Sequence, residues 1–175
     1  MILKRLQYFL ILAGIIVLSG CASVISKPVV QQVNQQASVE AVKERPGAFT
    51  GNMVLWTGQI IRTENLKEGT RIEVVHKPAD ASNRPKKSDE TEGRFLALTD
   101  QYLDPAIYER GREVTIAGKL DGMRSLPLGE IEYNYPLIML EEIHLWPHRQ
   151  KEIYIRDDFW RYTHRHYYHR GFCCW

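Results

Sequence analysis

The side chains best suited to chemistry are gathered near the C-terminus of the chain. Three histidines, His164, His166 and His169, precede the adjacent thiols Cys173 and Cys174. Imidazole and thiolate are ligands that zinc and copper accept, so this segment could bind a metal ion. The spacing is not that of a closed structural zinc site, however. Metal binding is therefore one of several interpretations of this segment.

A third thiol, Cys21, lies in a context that predicts covalent modification. Two cations precede an apolar run over residues 6–18, and Ser19 and Gly20 stand directly before the cysteine. The run of thirteen residues suits the apolar core of a signal peptide and falls short of the roughly twenty needed to span a membrane. Leu-small-small-Cys resembles the lipobox of bacterial lipoproteins. It implies diacylglyceryl transfer to the Cys21 thiol, cleavage before this residue and acylation of the new amino terminus.

Two alternatives to lipid attachment are an uncleaved membrane helix and an ordinary secretory signal with an incidental cysteine. Lipid attachment at Cys21 explains the cations, the apolar run and the small residues together, and we predict it on that ground. Two or more acyl chains would make a stable anchor. The rest of the chain is then expected to be a tethered envelope domain.

The C-terminal segment is also rich in aromatic and basic side chains. Residues 154–175 hold eight of the 18 aromatic residues of the chain and four arginines. Tyrosine and tryptophan favour the headgroup region of a membrane, and arginine adds attraction to anionic lipid. The segment could therefore lie against a membrane or a partner envelope protein, or it could pack on the domain that precedes it. These alternatives remain open beside metal binding.

Carboxylates and histidines elsewhere are poorly placed for general acid and base catalysis. Glu141 and Glu142 are neighbours on a predicted strand and should point to opposite faces of the sheet. Asp104 stands where it would cap a helix. His76 and His144 lie on predicted strands and are interpreted as half-buried or surface histidines. We assign no catalytic, cofactor-binding or metal-binding residue, and we expect the chain not to be an enzyme.

The charge of the chain argues against nucleic acid as a partner. The chain carries 23 basic and 21 acidic residues, and loss of Lys4 and Arg5 with the signal peptide leaves the mature chain neutral. Binding to phosphate backbones needs net or clustered positive charge. Export would also separate the domain from cytosolic nucleic acids.

Periodicity predicts a small all-β domain with one or two short helices. Ser38 is placed to cap a helix over residues 39–44, and from Met53 the apolar period changes to two. Five strands are predicted, over residues 53–62, 70–76, 93–98, 113–120 and 137–146, with a second helix at 104–111 and a turn at 121–122. This order, with Gly58 at a bulge or bend, favours a five-stranded OB-like barrel. A β-sandwich is the alternative.

Six segments resemble one known family. They are residues 54–60 (VLWTGQI), 93–97 (GRFLA), 103–108 (LDPAIY), 114–118 (VTIAG), 133–136 (YNYP) and 143–146 (IHLW). In this order they resemble the Slp family of outer-membrane lipoproteins, from the lipobox to about Trp146. The resemblance implies a lipoprotein without established catalytic activity that is associated with stationary-phase or stress physiology. It brings no active-site residue beyond Cys21.

These observations predict four parts of the chain and a location. Residues 1–20 are the signal peptide, 21–37 a lipidated tether, 38–147 the Slp-like β-barrel domain and 148–175 an aromatic, histidine-rich tail. Ala22 and Ser23 follow Cys21, which resembles the default outer-membrane pattern of lipoproteins. We expect a non-catalytic, lipid-anchored protein whose domain hangs in the periplasm and binds an envelope protein or a small ligand. The alternative is a metal- or pH-responsive binding protein that uses the tail.

Overall fold

The computed structural model describes residues 24–149. The predictions for Cys21, for the signal peptide and for the tail beyond residue 149 lie outside these residues. Three short helices come first: α1 (Lys27–Gln32), α2 (Val39–Glu44) and α3 (Pro46–Phe49). Five strands follow: β1 (Met53–Leu66), β2 (Gly69–His76), β3 (Arg94–Thr99), β4 (Glu113–Leu128) and β5 (Ile131–Leu145).

The five strands close into a barrel in the order β1-β2-β3-β5-β4. The β3–β5 pair is parallel, whereas the other neighbouring strands run antiparallel. A closed sheet leaves few unpaired backbone groups at a strand edge, which stabilises a small β-domain. The prediction of an all-β, OB-like five-stranded barrel is confirmed.

The barrel interior is filled by the inward-facing residues of each strand. Trp56 lies near its centre, with its ring edge-on to Phe95 at a centroid distance of 5.2 Å. The Trp56 indole donates a hydrogen bond to the carbonyl of Ala37 at 2.8 Å. Helix α2 covers this region with Val39 and Val42, which are 0% and 1% exposed. The core is therefore built by all five strands and by the segment that precedes them.

The predicted cap of α2 is confirmed. The Ser38 hydroxyl accepts a hydrogen bond from the backbone N–H of Ala41 at 3.1 Å. The helix begins at Val39 and ends at Glu44, the limits that were expected from the cap and from Pro46.

Gly58 was predicted to mark a bulge or bend, but its role is to let strands β1 and β2 pack closely. A β-carbon at this position would lie 2.2 Å from the carbonyl oxygen of Val75 on β2. The register shift in β1 comes later, between Ile60 and Arg62. Gly118 of β4 has the same role, since its β-carbon would lie 2.2 Å from the carbonyl oxygen of Met139.

The helix predicted at residues 104–111 is reduced to a single turn. Tyr108 donates its backbone N–H to the carbonyl of Asp104 at 2.9 Å, but no helix is formed there. The chain leaves the turn because the N–H of Gly111 bonds to the carbonyl of Ile60 on β1 at 2.8 Å. This tertiary hydrogen bond replaces a second helical turn.

The prediction of a turn at Asp121-Gly122 is wrong. Strand β4 continues to Leu128, with a register shift between Leu120 and Met123. Gly122 has a positive φ of 86°, so it forms an irregularity within the strand rather than a reversal. The chain reverses after Leu128, and β4 and β5 form a hairpin longer than either predicted strand.

Part of the predicted tether packs on the barrel. Ile25 and Val29 are 2% and 9% exposed and pack against Met53 and Ala117. Val33 forms a bridge with Met53. These three apolar residues are four positions apart, with Val29 inside α1 and the other two on either side of it. They form one apolar stripe in a segment of polar composition. Residues from Ile25 onward therefore do not form a free spacer, while the boundary at residue 38 stays a prediction.

Candidate functional site

The residues predicted to carry lipid or metal lie outside the part of the chain that the structure describes. They are Cys21, His164, His166, His169, Cys173 and Cys174, and their roles stay predictions. Between residues 24 and 149, no group of three or more His, Cys, Asp or Glu side chains is arranged to hold a metal ion. No helix in that range is both long and apolar enough to cross a membrane.

The carboxylates weighed from the sequence have separate partners. Glu141 pairs with Lys119 at 3.2 Å, whereas Glu142 accepts hydrogen bonds from Ser26 at the start of α1. The two neighbours therefore do not address one atom. Asp104 accepts the backbone N–H of Ala106 at 2.8 Å and caps the single turn there.

The two histidines on strands are structural. The Nδ1 atom of His76 accepts the backbone N–H of Glu92 at 3.4 Å, and burial lowers the pKa of this imidazole. His144 lies edge-on to Trp146 at a centroid distance of 4.5 Å. Each ring is half-buried, as the sequence predicted.

A groove on the outer face of β1 and β2 brings four charged side chains together. Arg62 and Glu64 lie two residues apart on β1, and Arg71 and Glu73 lie two apart on β2, so each pair shares a face. The register places Glu64 opposite Arg71 and Arg62 opposite Glu73. The groove measures about 320 Å³, and its lining is completed by Leu96, Leu126, Pro127 and Tyr135. We call it the charged groove.

One side of the charged groove is an ion-pair cluster around Glu64. This carboxylate contacts the guanidinium groups of both Arg62 and Arg71. The hydrogen bond from Arg71, aided by the positive charges of both arginines, lowers the pKa of Glu64. The side chain of Arg62 is 68% exposed. Its remaining N–H donors can therefore reach a ligand in the groove.

The other side of the charged groove is centred on Glu73. Its Oε1 atom accepts hydrogen bonds from Arg94 at 2.7 Å and from the Tyr135 hydroxyl at 3.3 Å. Burial and the negative charge of Glu73 raise the pKa of Tyr135, so this hydroxyl keeps its proton at neutral pH. Tyr135 is 2% exposed and packs with Leu96 and Leu137 in a cluster outside the main core. This cluster fixes the β4–β5 hairpin beside the groove.

The charged groove presents groups that can bind a ligand through hydrogen bonds and ion pairs. Its lining holds two arginines, two glutamates and one tyrosine besides the apolar side chains. Three arginines, at positions 62, 71 and 94, surround two carboxylates, so the cluster carries one positive charge in excess. Arginine is the side chain best suited to bind a carboxylate through two parallel hydrogen bonds.

The charged groove was missed from the sequence, although part of its signal was present. Charges alternate at positions 62 and 64 and again at 71 and 73, which places each pair on one face of its strand. The periodicity does not show which outer faces meet. That information comes from the register between β1 and β2 and from the position of the β4–β5 hairpin.

Comparison with known proteins agrees with the resemblance found in the sequence. The family described as "Outer membrane lipoprotein Slp family" matches residues 18–172. This range includes Cys21 and extends beyond Pro147, where the likeness was expected to end. The family match therefore covers the lipobox, the barrel and most of the tail.

Two relatives come from Escherichia coli strain K12. "Outer membrane protein Slp" is 29% identical over 156 residues, which cover 87% of this chain and 81% of the relative. "Uncharacterized lipoprotein YeaY" is 27% identical over 145 residues, which cover 82% of this chain and 75% of the relative.

Among solved structures, the mitochondrial single-stranded DNA binding protein Rim1 of S. cerevisiae is 10% identical to this chain. The superposition covers 57% of this chain and 99% of that chain, with a TM-score of 0.37. A likeness of this size says nothing about what this chain binds. The extent of the family match shows that the chain belongs to the Slp family of outer membrane lipoproteins.

Proposed function

We propose that this chain is a non-catalytic lipoprotein, anchored by acylated Cys21, whose barrel faces the periplasm and binds a partner protein of the envelope. The charged groove is the observation that supports the proposal of partner binding. It combines an apolar floor at Leu96 and Leu126 with an exposed guanidinium at Arg62. The stress or stationary-phase role that the family resemblance implies would place this binding in starved cells.

The partner that fits the charged groove is an extended, acidic segment of another protein. Arg62 and Arg71 already share Glu64, and a carboxylate supplied by a partner could pair with the solvent-facing donors of Arg62. Apolar side chains of the partner would cover Leu96, Leu126 and Pro127. Burial of such a floor inside a polar rim is the usual arrangement of a protein interface.

Lipid attachment is tested by the variant Cys21→Ser. The acylated protein is expected in the outer-membrane fraction after density separation, with acyl chains on residue 21 by mass spectrometry. The C21S variant is expected to lose both properties. If C21S still matures and stays in that fraction, Cys21 is not the anchor.

Partner binding is tested by photo-crosslinking in intact envelopes. A photoreactive side chain at position 127, an exposed residue of the groove lining that leaves Arg62 in place, should give one discrete adduct. The matched control at position 109, on the turn before β4, should not. The same adduct should disappear in the lipidated variant Leu126→Asp, which places a like charge where an acidic partner would lie. Equal adducts at positions 127 and 109, or an adduct that survives L126D, would contradict binding at the groove.

A further inference from the structure

The link between Cys21 and the barrel is too short to let the barrel move far from a membrane anchor. Ile25 is 2% exposed and packs on the outer face of β4 beside Ala117. Ser26 is held to Glu142 of β5 by its backbone N–H at 2.8 Å and by its hydroxyl. Ile25 is four positions after the modified Cys21, and four residues reach at most about 14 Å. A domain of this size is roughly 35 Å across, so the link is shorter than the domain.

The face next to this attachment is formed by the outer surfaces of β4 and β5. Thr115 lies two residues from Ala117 on the same side of β4, at a distance of about 7 Å. Its hydroxyl donates to the carbonyl of Asn83 and accepts a hydrogen bond from the Trp146 indole at 2.9 Å. The loop before β3 and the end of β5 therefore lie beside α1. We call this surface, which covers the buried Thr115, the anchor face; it is defined by Ser26, Asn83, His144 and Trp146.

The described chain also ends at the anchor face. Arg149 donates its Nε–H to Glu113 at 2.6 Å and bonds the carbonyl of Pro85. Glu113 is two residues from Thr115 on β4. The tail, with its eight aromatic residues and four arginines between residues 154 and 175, thus starts from the same face as the lipid link. Such side chains favour the headgroup region of a bilayer.

The tips of both hairpins are separated from the anchor face by long stretches of strand. Thr57 of β1 is opposite Thr115. Strand β1 ends at Leu66, nine residues beyond Thr57, a path of about 30 Å, and Glu68 follows in the turn. The tip of the β4–β5 hairpin at Glu130 follows Leu128, which lies eleven residues beyond Ala117 on β4, a path of about 36 Å if straight.

We infer that the anchor face lies against the phospholipid surface and that the hairpin tips lie farther from it. This inference rests on the proposed acylation of Cys21. The occupant of the anchor face is the headgroup layer of the membrane that holds the anchor, and the charged groove stays accessible to a protein partner. The barrel therefore has a fixed orientation on the membrane instead of turning freely on a long tether.

The orientation can be measured with labelled, full-length lipoprotein in phospholipid vesicles. In a Cys173→Ser, Cys174→Ser background, single cysteines at Ala81, Glu68 or Glu130 are labelled with a fluorophore, and the vesicles carry a headgroup-attached quencher. Ala81 is an exposed residue of the loop at the anchor face, whereas the other two lie at the hairpin tips. The label at position 81 is expected to lose several-fold more fluorescence than the labels at 68 and 130.

A linker insertion provides the matched control. About twelve Gly and Ser residues between Ser23 and Val24 would extend the link by roughly 20 Å, and the contrast between the labels should then diminish. Mass spectrometry of residue 21 separates the two proposals. Equal quenching at 81, 68 and 130 with acylated Cys21 overturns the orientation alone. Unmodified Cys21 in the membrane-bound protein overturns the proposed anchor and the orientation with it.

Discussion

Ser26 and Glu142 are joined by two hydrogen bonds that fix the first helix to the barrel. The backbone N–H of Ser26 lies 2.8 Å from Oε2 of Glu142, and its hydroxyl bonds Oε1 of the same carboxylate. These bonds lower the pKa of Glu142, because both donors favour its ionised form. The link connects residues 116 positions apart in the sequence. It sets the point at which the chain leaves the barrel toward Cys21.

Removal of this carboxylate should loosen α1 without unfolding the barrel. The variant Glu142→Ala is expected to cost about 1 kcal/mol locally and to accelerate amide hydrogen exchange over residues 24–33. The control is Glu141→Ala, whose exposed pair with Lys119 should contribute less than about 1 kcal/mol. Equal exchange in both variants would show that apolar packing alone holds the helix.

Gly58 should not tolerate any side chain. The variant Gly58→Ala places a β-carbon 2.2 Å from the Val75 carbonyl oxygen, which requires β1 and β2 to move apart. The expected loss is about 2–3 kcal/mol in the free energy of unfolding, measured by urea denaturation. Gly47→Ala, at an exposed position of helix α3 with nothing within 4 Å of its β-carbon, should instead be neutral or stabilise by up to about 1 kcal/mol. A G58A protein as stable as G47A would refute the assigned packing role.

The stability of the barrel should fall on acidification in a window set by His76. Burial lowers the pKa of His76 below its ordinary value of 6.5, with the nearby charge of Lys77 acting in the same direction and Glu92 opposing both. The unfolded chain therefore binds a proton at a higher pH than the folded chain, and stability is lost as the pH falls from about 6.5 through the folded pKa. Protonation would also abolish the acceptor that receives the Glu92 N–H.

The variant His76→Gln tests whether protonation of His76 lowers the stability of the barrel at acidic pH. The melting temperature of the parent protein should drop between pH 7.5 and pH 5.5, and that of H76Q should drop less over the same interval. His144→Gln is the matched control, because this ring lies on β5 beside Trp146. If H76Q and the parent show the same pH dependence, other groups account for it.

The features predicted correctly from the sequence are those that neighbouring residues determine. The cap at Ser38 and the helix that follows are local, because the hydroxyl reaches an N–H three residues away. The five strands could be predicted because alternation along each strand marks its buried face. The lipobox is an equally local pattern, but lipid attachment at Cys21 stays a prediction.

The features that were missed depend on contacts between distant residues. Asp121-Gly122 has the composition of a turn, but the ladder from Met123 opposite Pro136 keeps both segments extended. The six-residue helix α1 is too short to be stable alone, and it depends on the packing of residues 25 and 29 against Met53 and Ala117. The charged groove needs the register of Glu64 with Arg71, which no local pattern contains.

Glu113 should couple the loop before β3 to the end of the barrel. Its carboxylate accepts the Nε–H of Arg84 at 2.7 Å and that of Arg149 at 2.6 Å, and each side chain is less than one third exposed. Glu113→Gln removes the negative charge between two guanidinium groups, which then repel each other. We expect a loss of about 1–2 kcal/mol in unfolding free energy and faster amide exchange over residues 80–86 and 146–149.

The control for Glu113 is Glu109→Gln. Glu109 contacts His148 at 3.5 Å, but these side chains are 52% and 70% exposed, so the change should be less than about 0.5 kcal/mol. Because the pairs of Glu113 are partly buried, added salt should reduce their contribution only slightly. If E113Q instead matches E109Q in stability and in exchange, the loop and the last residues of the barrel are held by other contacts. These include the Arg84 guanidinium over the Trp146 ring at 5.2 Å and its hydrogen bond to the Pro147 carbonyl at 2.8 Å. Arg84→Lys would then be the deleterious change, since lysine supplies neither the planar stacking nor the forked donors of arginine.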